Sequence, residues 1–147
     1  MIKKIDAVGI PANGASGMFT RHETPRYRGF ASFDGAVDGG AAVLLEVADT
    51  PAARMKGLMG REHLPACCGM VFTDLEGGAF WMKGCKIPLD IVFLDDDDDV
   101  SLMYSMEVDE GAERYTYGDE KTAIELPYGF LAGHGISKGT HCKWRTW

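Results

Sequence analysis

The sequence predicts a mainly β (α+β) fold, a small antiparallel barrel or rolled sheet with two short helices, preceded by an extended N-terminal arm. Three observations carry this expectation. Apolar residues fall into short runs separated by hairpin-length links, the spacing of a meandering sheet. The 147-residue chain holds 19 glycines, nearly twice the usual share, which favours many turns over long helices. Residues 1–42 sustain neither helical nor strand periodicity.

The first strand is expected at Ala42-Val-Leu-Leu-Glu-Val47. A helix follows at Asp49-Thr50-Pro51-Ala52-Ala53-Arg54, because Thr50 or Asp49 can cap and Pro51 suits the first helical position. It runs through Met55 and Leu58 and stops by Gly60; so short a helix must pack onto a sheet. Gly69-Met-Val-Phe72 and Ala79-Phe-Trp-Met82 read as a hairpin or loop-linked strand pair around Glu76-Gly77-Gly78. Ile87–Leu94 is the most apolar stretch, a strand buried on both faces at its later end, with Val100–Met106 as its antiparallel partner. Thr122–Leu126 is a further strand, Pro127–Gly133 a short helix, and Thr140–Trp144 a last strand reached through Ser137-Lys-Gly139.

The domain division expected is a glycine-rich arm over 1–42 and a compact β-rich domain over 43–147. The arm carries Phe19, Arg21, Arg26, Tyr27, Arg28 and Phe30, a mixture of aromatics and arginines typical of interface cores. These six are the candidate interaction residues, laid either on the arm's own domain or across a neighbouring subunit.

Composition narrows the function. Hydrophobic residues at 46% and charged residues at 25% are ordinary for a globular protein. Residues 1–42 hold five basic and four acidic side chains (+1), so the remainder carries ten and eighteen (−8), and the chain as a whole is −7. So acidic a body repels phosphate backbones, which makes nucleic acid an unexpected partner. No apolar run approaches a membrane span, and Asp6 and Pro11 interrupt any export segment; a cytoplasmic or virion location is expected.

Candidate chemistry is sparse. Cys67, Cys68, Cys85 and Cys142 form no C-x-x-C, and a His63, Cys67 and Cys85 zinc set lacks closely spaced ligand pairs, so idle thiols and no metal or cofactor are expected. Asp95–Asp99 begins like a calcium loop but has Val100 and Met106 where Gly and Glu belong, leaving a solvated hairpin tip. The serines lie in no nucleophile elbow and the histidines lack metalloprotease spacing, so no catalytic residue is assigned and an enzyme is not the expectation. The most informative cluster is Trp81-Met82-Lys83 with Asp90. A carboxylate inside an apolar strand must face out or find a partner, with Lys83, Arg54 and Arg61 as the nearest cations. Either an ion pair fixes strand register, or Arg54, Trp81, Lys83 and Asp90 line an aromatic-walled ligand pocket.

Val43–Pro51, Arg54, Gly57-Leu-Met-Gly-Arg61, Leu64-Pro65, Gly69-Met70, Phe80-Trp-Met-Lys83, Ile87–Asp95 and Glu125-Leu-Pro127 together resemble the domain-of-unknown-function family number 192 over about residues 43–145. The resemblance implies a small β-rich domain built around the Trp-Met-Lys and Ile-Pro-Leu-Asp segments and implies no particular activity. Many family members carry an export leader where this chain has its arm; relatives in phage genomes suit a subunit that locks onto its neighbours. The leading functional expectation is therefore a non-catalytic interaction module that binds protein subunits through residues 1–42 in a larger assembly such as a virion. The alternative is a small-ligand-binding domain or weak enzyme with its pocket around Trp81, Lys83 and Asp90.

Overall fold

The computed structural model describes residues 26–36 and 41–147. Among the described residues nine strands and two helices follow in order: β1 (Gly29–Phe33), β2 (Ala41–Ala48), α1 (Pro51–Lys56), β3 (Cys68–Phe72), β4 (Gly78–Phe80), β5 (Leu89–Leu94), β6 (Val100–Met106), β7 (Tyr115–Tyr117), β8 (Thr122–Pro127), α2 (Phe130–His134) and β9 (Cys142–Thr146). Seven strands form one rolled sheet in the order β6-β5-β8-β3-β2-β1-β9, and β4 and β7 form a separate two-stranded ribbon.

Local chemistry accounts for α1. The Thr50 hydroxyl accepts from Ala53 N at 3.1 Å, Pro51 opens the helix, and Gly57 (φ 48°) ends it by donating its N–H to Ala53 O. The helix is the crossover between β2 and β3, which run parallel with Leu45 opposite Gly69. The sheet is therefore mixed where an antiparallel one was expected, although its other junctions are antiparallel.

Two further expectations are corrected. Residues 69–72 and 79–82 do not pair: β3 lies in the large sheet, and β4 pairs with β7 through Ala79 opposite Thr116. The ring of Phe80 on β4 packs on Phe72 and Phe93 at centroid distances of 5.0 and 5.6 Å, so burying aromatics on the sheet decides the partner. The compact body also begins before Val43. Gly29–Phe33 is an interior strand between β2 and β9, with Ala31 opposite both Val43 and Trp144. Its small residues allow the close approach, since a Cβ on Gly29 would lie 2.8 Å from Arg145 O.

Both faces of the large sheet are buried over its central strands, and by different means. Rolling brings Ala31, Phe33, Val43, Leu45, Val92, Leu94, Ile124 and Leu126 inside, with Phe130 and Leu131 of α2 closing one end. The sheet's two edges meet there, through Val100 N to Thr140 O at 2.9 Å and a bridge between Asp99 and His141. The acidic hairpin tip serves this closure: Asp98 Oδ1 accepts from Trp144 Nε1 at 2.9 Å, and Asp99 Oδ1 lies 2.8 Å from His141 Nδ1. The opposite face presents Ala48, Met70, Phe72, Leu89, Ile91, Phe93 and Ala123 and is covered by α1, its following loop and the β4–β7 ribbon. β5 contributes to both layers, which is why all six of its residues are buried.

The cover is clamped to the sheet by a two-pronged ion pair. Glu46 on β2 accepts from Arg61 Nη1 and Nη2, each at 2.8 Å, and the Arg61 guanidinium is held above its usual pKa chiefly by that hydrogen bonding. Arg61→Ala leaves a nearly buried carboxylate without its partner. Since the Arg61 side chain is 27% exposed, a loss of about 2–3 kcal/mol is expected by urea unfolding, below the cost for a fully buried pair. Glu46→Gln combined with Arg61→Ala is expected to recover part of it.

Candidate functional site

Where the cover over the outer face is incomplete it leaves a cleft of about 420 Å³ between α1 and the β4–β7 ribbon. Its floor is Leu58, Phe72, Leu75, Cys85 and Glu125, all buried. Phe80 and Tyr117 form an aromatic wall, their ring centroids 5.8 Å apart. The mouth carries Met55, Met59 and Trp81, which are 71%, 39% and 38% exposed. Exposed large apolar side chains around a concavity are the surface feature most often reserved for a ligand.

Glu125 is the chemically distinctive group. It lies on the interior strand β8, opposite Met70 on one side and Ile91 on the other, on the sheet face that looks into the cleft. The residue is 5% exposed, and its Oε2 has no hydrogen-bond partner. Burial pushes its carboxyl up to about 8, so the protonated form predominates at neutral pH. β3 can approach β8 here only because of Gly69, where a Cβ would lie 2.5 Å from Glu125 O. Cys85 shares the floor; burial, with a smaller contribution from Glu125, pushes its thiol up to about 11. A thiol so disposed is a poor nucleophile at neutral pH.

Three of the four candidate pocket residues come together in this cleft. Arg54, on α1, donates to Thr73 O at 3.0 Å. Trp81 is flanked by Lys83 Nζ at 5.3 Å and the Arg114 guanidinium at 4.6 Å from its ring centroid, so the indole is held by cation–π contacts. Asp90 does not line the cleft and is not paired with Lys83, Arg54 or Arg61. It is fully buried on β5, accepting from Ser105 Oγ at 2.8 Å and from Leu131 N at 3.0 Å, and so ties α2 to the sheet. Two donors satisfy this carboxyl more compactly than a long cationic side chain would.

The candidate arm residues divide. Phe19 and Arg21 lie outside the described residues. Arg26 is exposed, and Tyr27 packs with Leu44 and Cys68. Arg28 N donates to Leu45 O and Arg28 O accepts from Trp147 N, while Phe30 lies under the Arg145 guanidinium at 5.2 Å. The described part of the arm is thus bound to its own domain.

Cys67 Sγ and Cys68 Sγ lie 3.6 Å apart, and burial pushes the Cys68 and Cys142 thiols each up to about 12. Among the described residues no three metal-ligating side chains are placed to share an ion. Nor, among those residues, is any helix long and apolar enough to cross a membrane.

Sequence reasoning missed Glu125, because Ile124 and Leu126 alternate with Ala123 and Glu125 as in a strand with one wet face. The signal available was that the stretches Gly69–Phe72 and Ile91–Leu94, which flank it in the sheet, are apolar on both faces. Glu125 also ties stability to pH. The unfolded carboxyl loses its proton near 4.5 and the folded one near 8, so between those values the folded chain holds a proton that the unfolded chain has released. Its contribution is complete below the lower value and is lost as pH rises to the upper one. Glu125→Gln is expected to remove that part of the slope and to be more stable than the parent at pH 8. Thermal melts of both proteins from pH 5 to pH 9 check this.

The comparisons agree with this architecture. A protein of unknown function from Novosphingobium aromaticivorans DSM 12444 superimposes with a TM-score of 0.72 at 30% identity, over 78% of this chain and 84% of that one. A Sinorhizobium meliloti 1021 protein described as a "putative transcription regulator" superimposes with a TM-score of 0.72 at 24% identity, over 83% of this chain and 97% of that one, and bears on the fold alone. No curated protein matches the chain. Residues 35–144 match the family described as uncharacterized ACR. Three-quarters of the sequence and all the cleft residues fall within that match, as does the rolled sheet apart from β1 and the end of β9, and the chain belongs to the DUF192 family.

Proposed function

We propose that the protein is a small-ligand-binding domain whose site is the cleft between α1 and the β4–β7 ribbon. The carrying observation is a concavity of about 420 Å³ with an aromatic wall, exposed methionines at its mouth and a buried, unpartnered carboxyl oxygen on its floor. That volume lies in the range of ordinary small-molecule sites. Met55 and Met59 are flexible and polarisable, suited to closing over an apolar stem. The raised thiol of Cys85 favours binding over covalent catalysis.

Tyr27, Arg28 and Phe30 are engaged within their own domain, which weighs against an arm that grips a neighbouring subunit through them. The ligand-site reading is preferred because the cleft sets an unpartnered carboxyl oxygen beneath an aromatic wall.

Three probes with a common six-carbon stem, hexylammonium, hexanoate and hexanamide, test the proposal by amide chemical-shift mapping. At least one is expected to shift Leu58, Phe72, Phe80 and Trp81 together. Ala79→Trp, which fills the cleft from an exposed position on β4, is expected to abolish those shifts while leaving the rest of the spectrum intact. Asp90→Ala is expected to cost about 2–4 kcal/mol, through its two lost hydrogen bonds, without weakening the probe. If none of the three shifts the cleft residues, or if Ala79→Trp leaves binding unchanged, the proposal fails.

A further inference from the structure

The floor carboxyl narrows the class of ligand. On the reading of the cleft as a binding site, we infer that its ligand is an organic cation, a primary ammonium or guanidinium on a short apolar stem, received by Glu125 at the floor.

Glu125 Oε2 is buried and without a hydrogen-bond partner on the face that looks into the cleft, beside the side chains of its strand neighbours Met70 and Ile91, both apolar. A buried polar atom in that state is costly until something completes it. The protonated carboxyl can also donate its O–H, but the ionised form accepts only, and the complement of that form is an N–H donor. A positively charged donor in addition offsets the desolvation that otherwise keeps the group protonated. The side walls suit the same ligand, because the π-faces of Phe80 and Tyr117 attract a cation and tolerate an apolar stem. On a chain of net charge −7 the long-range field also draws cations in.

The charged groups sharing the cleft are compatible with this. Arg54 is committed to Thr73 O and Lys83 rests on Trp81, while Lys56 is exposed at the mouth. Asp74 and Glu76 are exposed acids at the same mouth, and Cys85 and Tyr117 are neutral at physiological pH because burial raises both. An anionic ligand would gain those mouth cations and accept the O–H of the protonated floor carboxyl, but its affinity would fall as Glu125 ionises, opposite to the pH dependence of a cation.

The cation must displace the Glu125 proton to form the pair, and this gives the inference its signature. Titration calorimetry of hexylammonium in two buffers of different ionisation enthalpy is expected to show one proton released per ligand bound at pH 6. Affinity is expected to rise by roughly tenfold per pH unit below pH 7 and to level off above pH 8. The ammonium stays charged across this range. Glu125→Gln, close in shape to the protonated side chain, is expected to keep the parent's spectrum, lose at least tenfold in affinity at pH 8 and lose the pH dependence. Tighter binding of hexanoate or hexanamide, or an affinity flat in pH, would overturn the cationic assignment while leaving the cleft a ligand site. Silence of the cleft resonances toward all three probes would overturn both.

Discussion

The organising constraint is that the central strands of the large sheet are mostly apolar on both faces and neither face can be left to water. Rolling encloses one face, and the closing contacts between the acidic β5–β6 tip and β9 hold the roll shut. The other face cannot be enclosed by the same curl. It is covered instead by α1, the loop behind it and the β4–β7 ribbon, none of which is long enough to cover it completely. The cleft is the gap that this arrangement leaves.

That origin explains the chemistry of the cleft. Its floor belongs to the sheet and is rigid, whereas its mouth belongs to the cover and carries exposed side chains. Glu125 stands where the two meet, on an interior strand flanked by two others, so its backbone is locked in the ladder while its carboxyl faces the space above. Asp90, one strand away on β5, shows the contrasting outcome. An equally buried carboxyl there is satisfied by Ser105 and a helical N–H, and it fixes α2 in place. The satisfied acid is structural, and the unsatisfied one on the adjacent strand is the observation on which the proposed ligand site rests.

The Glu46–Arg61 clamp connects the two layers in the same sense. Arg61 comes from the cover and Glu46 from the sheet, so the pair sets how the loop after α1 lies over the outer face. Met59 at the mouth is only two residues from Arg61. The shape of the opening therefore depends on an ion pair outside the cleft lining.

Much of this was written locally. The cap at Thr50, the proline that follows it, the largely apolar run of β5 and the extent of β6 are nearest-neighbour matters, and periodicity and cap chemistry identified them in the sequence. So did the grouping of Arg54, Trp81 and Lys83. What the sequence could not express was pairing at a distance. The five residues of β1, two of them Gly and Ala, become a strand only because β2 and β9 lie on either side. β4 finds β7 only because Phe80 has aromatics to pack against. Glu125 has the appearance of a solvent-facing residue until β3 and β5 bury it. Burial from both flanks is a property of the assembled sheet, and that burial is what turns an ordinary glutamate into the distinctive group of the site.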